Sequence, residues 1–316
     1  MTNETAKIKK FILEDLDMDL AGVCDAGLLE DEPEGHRPSD ILPGARSAIV
    51  YAYRVPDGGT QAAFRYFEDG SLPARAIYSA YSADLAPNAA MLFRTFDLAQ
   101  HIERSYGYVA CPLPSGPMQA GVPLSVPVPA FAAPFKVGLP FNIERAAFAA
   151  GLGDYGWSGR LLTEEYGPRV HFGAVITSMP LEFDAPRGGA PICGGESCLI
   201  CVGRCPVNAI PGPDTGQSRT LGAGGVLRKA ADVRLNRCIV AACALRKEYG
   251  GIEDYIDSVE HEEPTDASLA EAFAKKPVNH WEGLDHYPKW KCDKCLIYCP
   301  AGKWKERFAD RNLAAD

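Results

Sequence analysis

Nine of the eleven cysteines in this chain lie between Cys193 and Cys299, and only Cys24 and Cys111 precede them. Thiolates are the usual ligands of structural zinc and of iron–sulfur clusters. The N-terminal residues Met1–Thr5 lack the basic-then-apolar layout of a secretory signal, so we expect a cytoplasmic, reducing environment in which disulfides are rare. The concentration of thiols in the second part of the chain therefore predicts metal or cluster chemistry there.

The spacing within two cysteine runs narrows the choice of metal site. The first run reads Cys193-x4-Cys198-x2-Cys201-x3-Cys205-Pro206, and the second reads Cys292-x2-Cys295-x3-Cys299-Pro300, with Cys238 between them. Runs that end in Cys-Pro are typical of bacterial two-cluster ferredoxins, in which the last cysteine of each run ligates the other cluster. On that pattern, one 4Fe–4S cluster takes Cys193, Cys198, Cys201 and Cys299, and the other takes Cys205, Cys238, Cys292 and Cys295.

One departure and one alternative accompany this assignment. The x4 gap after Cys193 differs from the x2 gap of the bacterial run, which makes Cys193 the least secure of the eight ligands. Two structural zinc sites of four thiolates each are the alternative, and the paired Cys-Pro endings favour iron–sulfur. The remaining Cys24, Cys111 and Cys243 are expected to be small buried apolar side chains.

A glycine-rich segment in the middle of the chain matches the string G-x-G-x-x-G from Gly151 to Gly156. In dinucleotide-binding proteins this string works only between a strand and a helix. Because the alanine-rich residues 143–150 before it predict a helix, we do not expect a dinucleotide site. The glycines predict sharp turns that either approach a flat ligand closely or serve only as a tight connection.

Residue patterns over 1–185 mix helices and strands without a regular strand–helix–strand repeat. Helical spacing predicts helices near 4–16, from Pro87 onward and over 143–150, and β-branched or alternating residues predict strands at 47–55, 108–111 and 170–177. Eight prolines over 112–140 predict an irregular lid or loop, and residues 221–225, LGAGG, predict a flexible loop. We expect an α+β domain over residues 1–188 and an iron–sulfur domain over 189–316.

Composition argues against two classes of partner. Hydrophobic residues make up 47% and charged residues 23%, as in an ordinary globular protein. The net charge is −9, whereas contact with nucleic-acid phosphates needs a basic surface, so we expect no nucleic-acid partner. No apolar run approaches the ~18–20 residues of a membrane-spanning helix, so we expect no membrane partner either.

Several segments resemble one superfamily. Residues 37–50, RPSDILPGARSAIV, resemble the N-terminal motif of epoxyqueuosine reductases. Residues 150–156 and 161–170, AGLGDYG and LLTEEYGPRV, resemble reductive dehalogenases more closely, and RCI at 237–239 and CDKC at 292–295 continue the match. The resemblance covers most of the chain, with a gap over 56–135, and is closer to a small dehalogenase-like member than to a true tRNA epoxyqueuosine reductase.

The resemblance implies a nitroreductase-like, cobalamin-binding α+β core followed by a bacterial-ferredoxin-like domain with two 4Fe–4S clusters. In the family the corrinoid is held base-off, chiefly by backbone contacts, and this sequence lacks the Asp-x-His-x-x-Gly motif of histidine-ligated corrinoid proteins. Electrons would pass from an external donor such as ferredoxin or flavodoxin through the clusters to cobalt. The positions that match the family's corrin contacts are Gly153, Gly156, Trp157, Ser158, Gly159, Val240 and Asp293.

The sequence also departs from epoxyqueuosine reductases. Val137 stands where that family has a catalytic Asp, and the 17 residues after Cys299 are too few for the family's helical-repeat extension for tRNA, so we expect none. As proton donors we consider Tyr155 and Tyr166, which flank the presumed corrin loop, because a phenol can protonate a developing carbanion. Arg169 is the candidate for holding an anionic substrate or stabilising the tyrosinate. Ordinary packing is the alternative role for both tyrosines.

These features lead to three functional hypotheses. The first is a cobalamin- and 4Fe–4S-dependent reductase that removes a halide or related leaving group from a small organic substrate. The second is an electron-transfer or cobalamin-reducing protein without an organic substrate, which would tolerate the missing Asp. The third, which we favour least, is tRNA epoxyqueuosine reduction with a relocated acid.

Overall fold

The computed structural model of the chain describes residues 3–83, 85–113, 141–242, 263–269, 292–303 and 306. The predicted irregular segment therefore lies outside the described residues from position 114 to 140, and so do Val137 and Cys243. The strands are β1 (Leu20–Asp25), β2 (Ser47–Arg54), β3 (Ala110–Pro112), β4 (Asp154–Tyr155), β5 (Leu161–Leu162), β6 (Val170–Thr177), β7 (Ser218–Ala223) and β8 (Val226–Ala231). The α-helices are α1 (Asn3–Lys10), α2 (Pro38–Ile41), α3 (Asp57–Asp69), α4 (Leu72–Tyr78), α5 (Leu85–Tyr106), α6 (Ile143–Ala149), α7 (Ile200–Gly203), α8 (Leu235–Ala242) and α9 (Lys294–Ile297).

The first part of the chain is built around a four-stranded antiparallel sheet in the order β1-β2-β6-β3. Ala52 of β2 pairs with Leu20 on one side and with Phe172 on the other, which fixes the register of the three long strands. The strands predicted at 47–55 and 170–177 are confirmed, and the one predicted at 108–111 begins at Ala110. An antiparallel sheet with interspersed helices is a mixed α/β architecture, as the absence of a strand–helix–strand repeat predicted.

Both faces of this sheet are buried. Alternate β2 residues contribute to two cores, Val50 to the one that contains α6 and Tyr51 to the one that contains α1 and α5. Gly173 of β6 has no side chain because a methyl group there would lie 2.2 Å from the Sδ atom of Met91 on α5. The sheet is therefore a rigid middle layer with helices on either side.

The three predicted helices are confirmed. Helix α1 continues as a π-helical turn from Phe11 to Asp15, and α5 carries Pro87 in its first turn, where a missing N–H costs nothing. Helix α6 begins where the Asn142 side chain accepts a hydrogen bond from the Arg145 N–H, as an N-cap does. No helix in the described part of the chain is long and apolar enough to cross a membrane.

The prediction of a flexible loop at 221–225 was wrong. Leu221 to Ala223 belong to β7, and Gly224 and Gly225 form the two-residue turn of a β7–β8 hairpin. Both glycines have positive φ angles, 59° and 81°, which a tight hairpin turn of this kind requires at both positions. The Gly-Gly pair between two short strands was a readable hairpin signal, which we missed by treating it as low-complexity sequence. Ala223 at the hairpin end packs into the same core as α6.

A second helical layer meets the C-terminal cysteine run. Helices α3 and α4 pack together and enclose an apolar cluster that includes Phe64, Tyr78 and Ile297 of α9. The end of α4 continues as a π-helical turn from Ser79 to Ala83. This contact places Tyr78 directly over the loop that carries Cys292 and Cys295.

Candidate functional site

The structure brings the seven cysteines of the two runs and Cys238 together in two sets. Burial raises the pKa of Cys201 to about 12, and the neighbouring thiols of Cys193, Cys299 and Cys198 add to the rise. Burial likewise raises the pKa of Cys299, which faces Cys193 and Cys198 across the loops. We call these four residues the first thiol group: Cys193, Cys198, Cys201 and Cys299.

The other four thiols also face one another. Burial raises the pKa of Cys238, and the thiols of Cys292 and Cys205 add to the rise. Burial also raises the pKa of Cys295, and the thiols of Cys238 and Cys292 add to that rise. We call Cys205, Cys238, Cys292 and Cys295 the second thiol group. The two groups have the membership that the crossed ferredoxin pattern assigns, and Cys193 lies within its group despite the x4 gap.

Short turns and backbone amides position these thiols. Leu199 adopts a left-handed conformation, φ 49°, just before α7, which turns the chain between Cys198 and Cys201. The Cys193 Sγ atom accepts hydrogen bonds from the N–H groups of Trp157 and Gly195 at 3.4 and 3.3 Å. The Cys205 Sγ atom accepts one from the Ala209 N–H at 3.1 Å. Hydrogen bonds to cysteine sulfur are one of the means by which proteins tune iron–sulfur clusters.

The donor set and its surroundings fit two iron–sulfur clusters. Two small apolar cores lie against the thiols. The core of Trp157, Ile210 and Ala231 packs against members of both groups, and the core of Val207, Ala209 and Ala241 packs against members of the second group. Within the described residues, no three His, Cys, Asp or Glu side chains converge on the position of a single metal ion. In a cubane each thiolate binds a different iron atom, so such convergence is not required.

Arg169 is buried and ties the sheet to the loop that carries Cys299. Its guanidinium donates hydrogen bonds to the backbone carbonyls of Leu296, Cys299 and Ala301, the second of them at 2.8 Å. The same positive charge lowers the pKa of the Cys299 thiol and partly offsets the effect of burial. The structure thus places Arg169 on a cluster loop, whereas the sequence suggested that it holds a substrate or a tyrosinate.

The two candidate proton donors lie in different surroundings, and the backbone N–H of Arg169 donates a hydrogen bond of 3.3 Å to the Tyr166 carbonyl oxygen. Tyr155 is buried in the sheet core, stacked on Phe148 at 5.1 Å, and burial raises its pKa. The Tyr166 hydroxyl donates a hydrogen bond of 3.3 Å to the Asp19 carboxylate. The Tyr155 ring thus lies in the sheet core, the Tyr166 hydroxyl at Asp19 and the Arg169 guanidinium at the Cys299 loop.

The glycines of this segment are required mainly by close packing within the β4–β5 hairpin. A methyl group at Gly153 would lie 2.5 Å from the Leu162 carbonyl oxygen, and one at Gly156 would lie 2.9 Å from the Leu162 side chain. The Trp157 indole is buried in the wall of the first thiol group and donates to the Pro211 carbonyl oxygen at 3.0 Å. Ser158 is buried beside it. Each of these four residues is therefore in contact with other parts of the protein.

Gly159 and Tyr155 line a cavity of about 540 Å³ between α6 and the β7–β8 hairpin. Its polar wall includes Arg145, which forms ion pairs with Asp31 at 2.7 Å and Glu32 at 2.9 Å. Glu144 lines it as well, and burial raises the pKa of that carboxyl. The sequence showed no signal for this site, because Arg145 and its acidic partners are more than a hundred residues apart along the chain.

Arg160 connects this cavity with the second thiol group. Its guanidinium pairs with Glu144 at 2.7 Å, and its charge partly offsets the rise in the pKa of Cys238 and Cys295. Sequence reasoning also missed this residue. A cationic side chain therefore lies between a polar cavity and one set of thiols.

The remaining two predicted corrin contacts lie near the second thiol group. Val240 is buried on α8. Asp293 is buried between Cys292 and Cys295, and its Oδ2 atom accepts a hydrogen bond of 2.6 Å from the Tyr78 hydroxyl.

Within the described residues, three hydroxyls of β2 and the turn after α4 are buried without a hydrogen-bond partner: those of Tyr53, Ser79 and Ser82. Ser79 directly follows Tyr78, and the Tyr53 ring stacks on His171, whose Nε2 atom lies 2.7 Å from the Ser82 carbonyl oxygen. Leaving such a group unsatisfied costs ~1–3 kcal/mol. A bound molecule with polar groups, such as the amide rim of a corrinoid, would supply the missing partners.

Sequence comparison identifies two curated relatives. The chain is 31% identical over 159 residues to the tetrachloroethene reductive dehalogenase of Sulfurospirillum multivorans, a match covering 42% of this chain and 31% of that protein. It is 42% identical over 60 residues to the epoxyqueuosine reductase of Listeria monocytogenes serovar 1/2a, covering 18% of this chain and 15% of that protein. The chain thus matches less than a third of the length of either relative.

Among solved structures, a selenomethionine-labelled epoxyqueuosine reductase aligns with 93% of this chain and 81% of its own, with 15% identity and a TM-score of 0.49. No family model matches the chain. By these two sequence matches, parts of the chain are similar to a reductive dehalogenase and to an epoxyqueuosine reductase.

Proposed function

We propose that this protein is an oxidoreductase that uses two 4Fe–4S clusters and base-off cobalamin to reduce a small organic substrate. The observation that carries the proposal is the pairing of eight thiols into two groups of four, in a chain whose curated relatives are reductases. Removal of a leaving group would follow R–X + 2e⁻ + H⁺ → R–H + X⁻. The electrons would come from an external reductant such as ferredoxin or flavodoxin.

The chain's own residues would hold the clusters and keep water away from them. The first thiol group would ligate one cluster, with Trp157 in its wall, and the second thiol group would ligate the other. Arg169 would hold the Cys299 loop in place through its backbone carbonyls. Together they would form a ferredoxin-like domain over 189–316, behind a nitroreductase-like core over 1–188.

Cobalamin would supply a strongly reducing cobalt centre, which no side chain offers. The unpartnered hydroxyls of Tyr53, Ser79 and Ser82 support a polar ligand beside the second thiol group. The cavity lined by Gly159 offers a second polar surface, linked to that group by Arg160. Of the predicted corrin contacts, Gly153 and Gly156 have the least support, since Leu162 closes their approach.

Two other functions have an observation in their favour. The match with an epoxyqueuosine reductase supports a tRNA substrate, so the expected absence of a nucleic-acid partner lacks support from the comparisons. The Tyr166 hydroxyl donates to Asp19 and the Arg169 guanidinium holds the Cys299 loop, and these structural contacts favour a carrier that reduces a corrinoid for another enzyme. A cytoplasmic location, implied by the expected reducing environment, belongs to the same proposal.

Anaerobic reconstitution with iron, sulfide and cobalamin tests the proposal. We expect about eight irons and one cobalt per chain, a 4Fe–4S signal in electron paramagnetic resonance (EPR) spectra, and a base-off Co(II) signal. Cys198→Ser should lower the iron content, whereas Cys111→Ser, which changes a half-buried thiol outside both groups, should not. Zinc in place of iron would overturn the proposal.

Holoenzyme with both cofactors is then supplied with a strong reductant and either halogenated organics or an epoxyqueuosine-containing tRNA stem-loop. Halide release supports the dehalogenase-like activity, and conversion of the tRNA nucleoside supports the alternative. Eight irons without retained cobalt would leave a two-cluster electron carrier.

A further inference from the structure

We infer that Asp293, held by Tyr78, is a buried charge that sets the reduction potential of the cluster in the second thiol group. The sequence had placed Asp293 among the contacts to the corrinoid. The inference rests on the proposed function, because it requires an iron–sulfur cluster at these thiols.

The position of the carboxylate is the first argument. Asp293 lies one residue after Cys292 and two before Cys295, and it is buried. Its Oδ2 atom accepts a hydrogen bond of 2.6 Å from the Tyr78 hydroxyl, which is buried as well. Burial raises the pKa of the Tyr78 phenol, and the thiols of Cys292 and Cys295 add to the rise. The carboxylate, the phenol and the two thiols therefore share one enclosed site.

The second argument is that local structure does not need this carboxylate. Asp293 is the residue before α9, and an Asp at that position usually caps its helix by accepting a backbone N–H. Here the side chain makes no capping hydrogen bond, and the backbone carbonyl of Asp293 accepts from Leu296 and Ile297 instead. The carboxylate is turned away from its own helix and toward Tyr78. Burial of a charge is unfavourable even when it accepts a hydrogen bond, so the position of this carboxylate indicates a role other than capping.

The third argument concerns what a negative charge does at this place. Reduction adds an electron to the cluster, and a nearby carboxylate in a low-dielectric site opposes that addition. Net charge around a cluster is one of the determinants of its potential. Two cations act on this thiol group: Arg160, which is already paired with Glu144 at 2.7 Å, and Lys294, whose charge partly offsets the rise that burial causes in the pKa of Cys292. Asp293 should therefore lower the midpoint potential of the second cluster.

A carboxylate in the other cysteine run provides the matched control. Glu196 lies between Cys193 and Cys198 but is exposed and paired with Lys229 at 3.0 Å. Water screens a charge in that position. The same change from acid to amide can thus be made in both runs, buried in one and exposed in the other.

The test is an EPR-monitored redox titration of the reconstituted full-length protein. In Asp293→Asn we expect one cluster to shift to a higher midpoint potential while the other keeps its wild-type value. Asp293→Glu, which keeps the charge, and Glu196→Gln should leave both potentials close to wild type. Spectrophotometric titration with cobalamin is run on the same samples.

Wild-type potentials in an Asp293→Asn protein with both clusters assembled would overturn the inference. Unchanged potentials combined with lost cobalamin binding would instead make Asp293 a corrinoid contact. If the Asp293→Asn protein does not assemble the second cluster, the titration is repeated with Asp293→Ser, a second neutral variant. Failure of Asp293→Ser to assemble that cluster would overturn the inference and give Asp293 a structural role only. A wild-type chain that assembles no cluster would contradict the proposed function itself. Failure of the proposed function can therefore be told apart from failure of the inference about Asp293.

Discussion

The guanidinium of Arg169, at the junction between the Thr163–Gly167 turn and β6, donates a 2.8 Å hydrogen bond to the Cys299 carbonyl, 130 residues further along the chain. The carbonyls of Leu296 and Ala301 accept from the same side chain. One buried cation thus organises the loop that delivers the last cysteine to the first thiol group.

Arg169→Lys should destabilise the protein and weaken the first cluster. A lysine keeps the charge but cannot reach three carbonyls from one planar head, and each buried acceptor left without a donor costs ~1–3 kcal/mol. We expect a lower midpoint in anaerobic chemical denaturation and partial loss of iron. Arg187→Lys, at an exposed ion pair with Glu164, is the control and should change neither quantity. Full iron content and wild-type stability in Arg169→Lys would contradict this role.

Paired serine substitutions distinguish crossed from sequential ligation of the clusters. If the crossed assignment holds, Cys201→Ser with Cys299→Ser damages one cluster and leaves about four irons. Cys201→Ser with Cys205→Ser then damages both clusters, although these residues are neighbours in sequence. Iron analysis after anaerobic reconstitution gives the count. The reverse ranking of the two double variants would show that each run ligates its own cluster.

Tyr78→Phe should lower the free energy of unfolding by ~1–3 kcal/mol, because it leaves the buried Asp293 carboxylate without its hydroxyl donor. Denaturant titration under anaerobic conditions measures the change. Tyr166→Phe removes a longer, part-buried hydrogen bond to Asp19 and serves as the comparison, with a smaller loss expected. Equal stability of the two variants would argue that the Tyr78 hydroxyl is not a significant contact.

His101 should make stability depend on pH in the weakly acidic range. Burial lowers its pKa below the ordinary value of 6.5, and its ring stacks on Phe11 with centroids 3.8 Å apart. The unfolded chain therefore binds a proton at a higher pH than the folded one, and stability falls as the pH drops below 6.5 toward the folded pKa. His101→Gln should remove this part of the slope in denaturation midpoints measured between about pH 5.5 and 8. An unchanged slope in His101→Gln would refute the assignment.

Local patterns were sufficient for much of the fold. Alternating side chains over 170–177 predicted a strand with two distinct faces, and the structure places both faces in apolar cores. Spacing of apolar residues and Pro87 predicted the long helix α5. The hairpin at Gly224-Gly225 could also have been predicted from the residue types, but we did not predict it.

The sequence by itself determined the kinds of chemistry available: seven thiols in two runs with Cys-Pro endings and an eighth between them, glycines that turn the chain, and the strands and helices that carry them. These depend on residue type and short-range spacing, which can be read along the chain. Only the tertiary structure decided which distant groups meet. Arg169 contacts the Cys299 loop, and Tyr78 contacts Asp293. Arg160 lies between Glu144 and the second thiol group. Contacts across 16 to 215 residues depend on how the sheet, α4 and the cysteine loops pack against one another, and no local pattern carries that information.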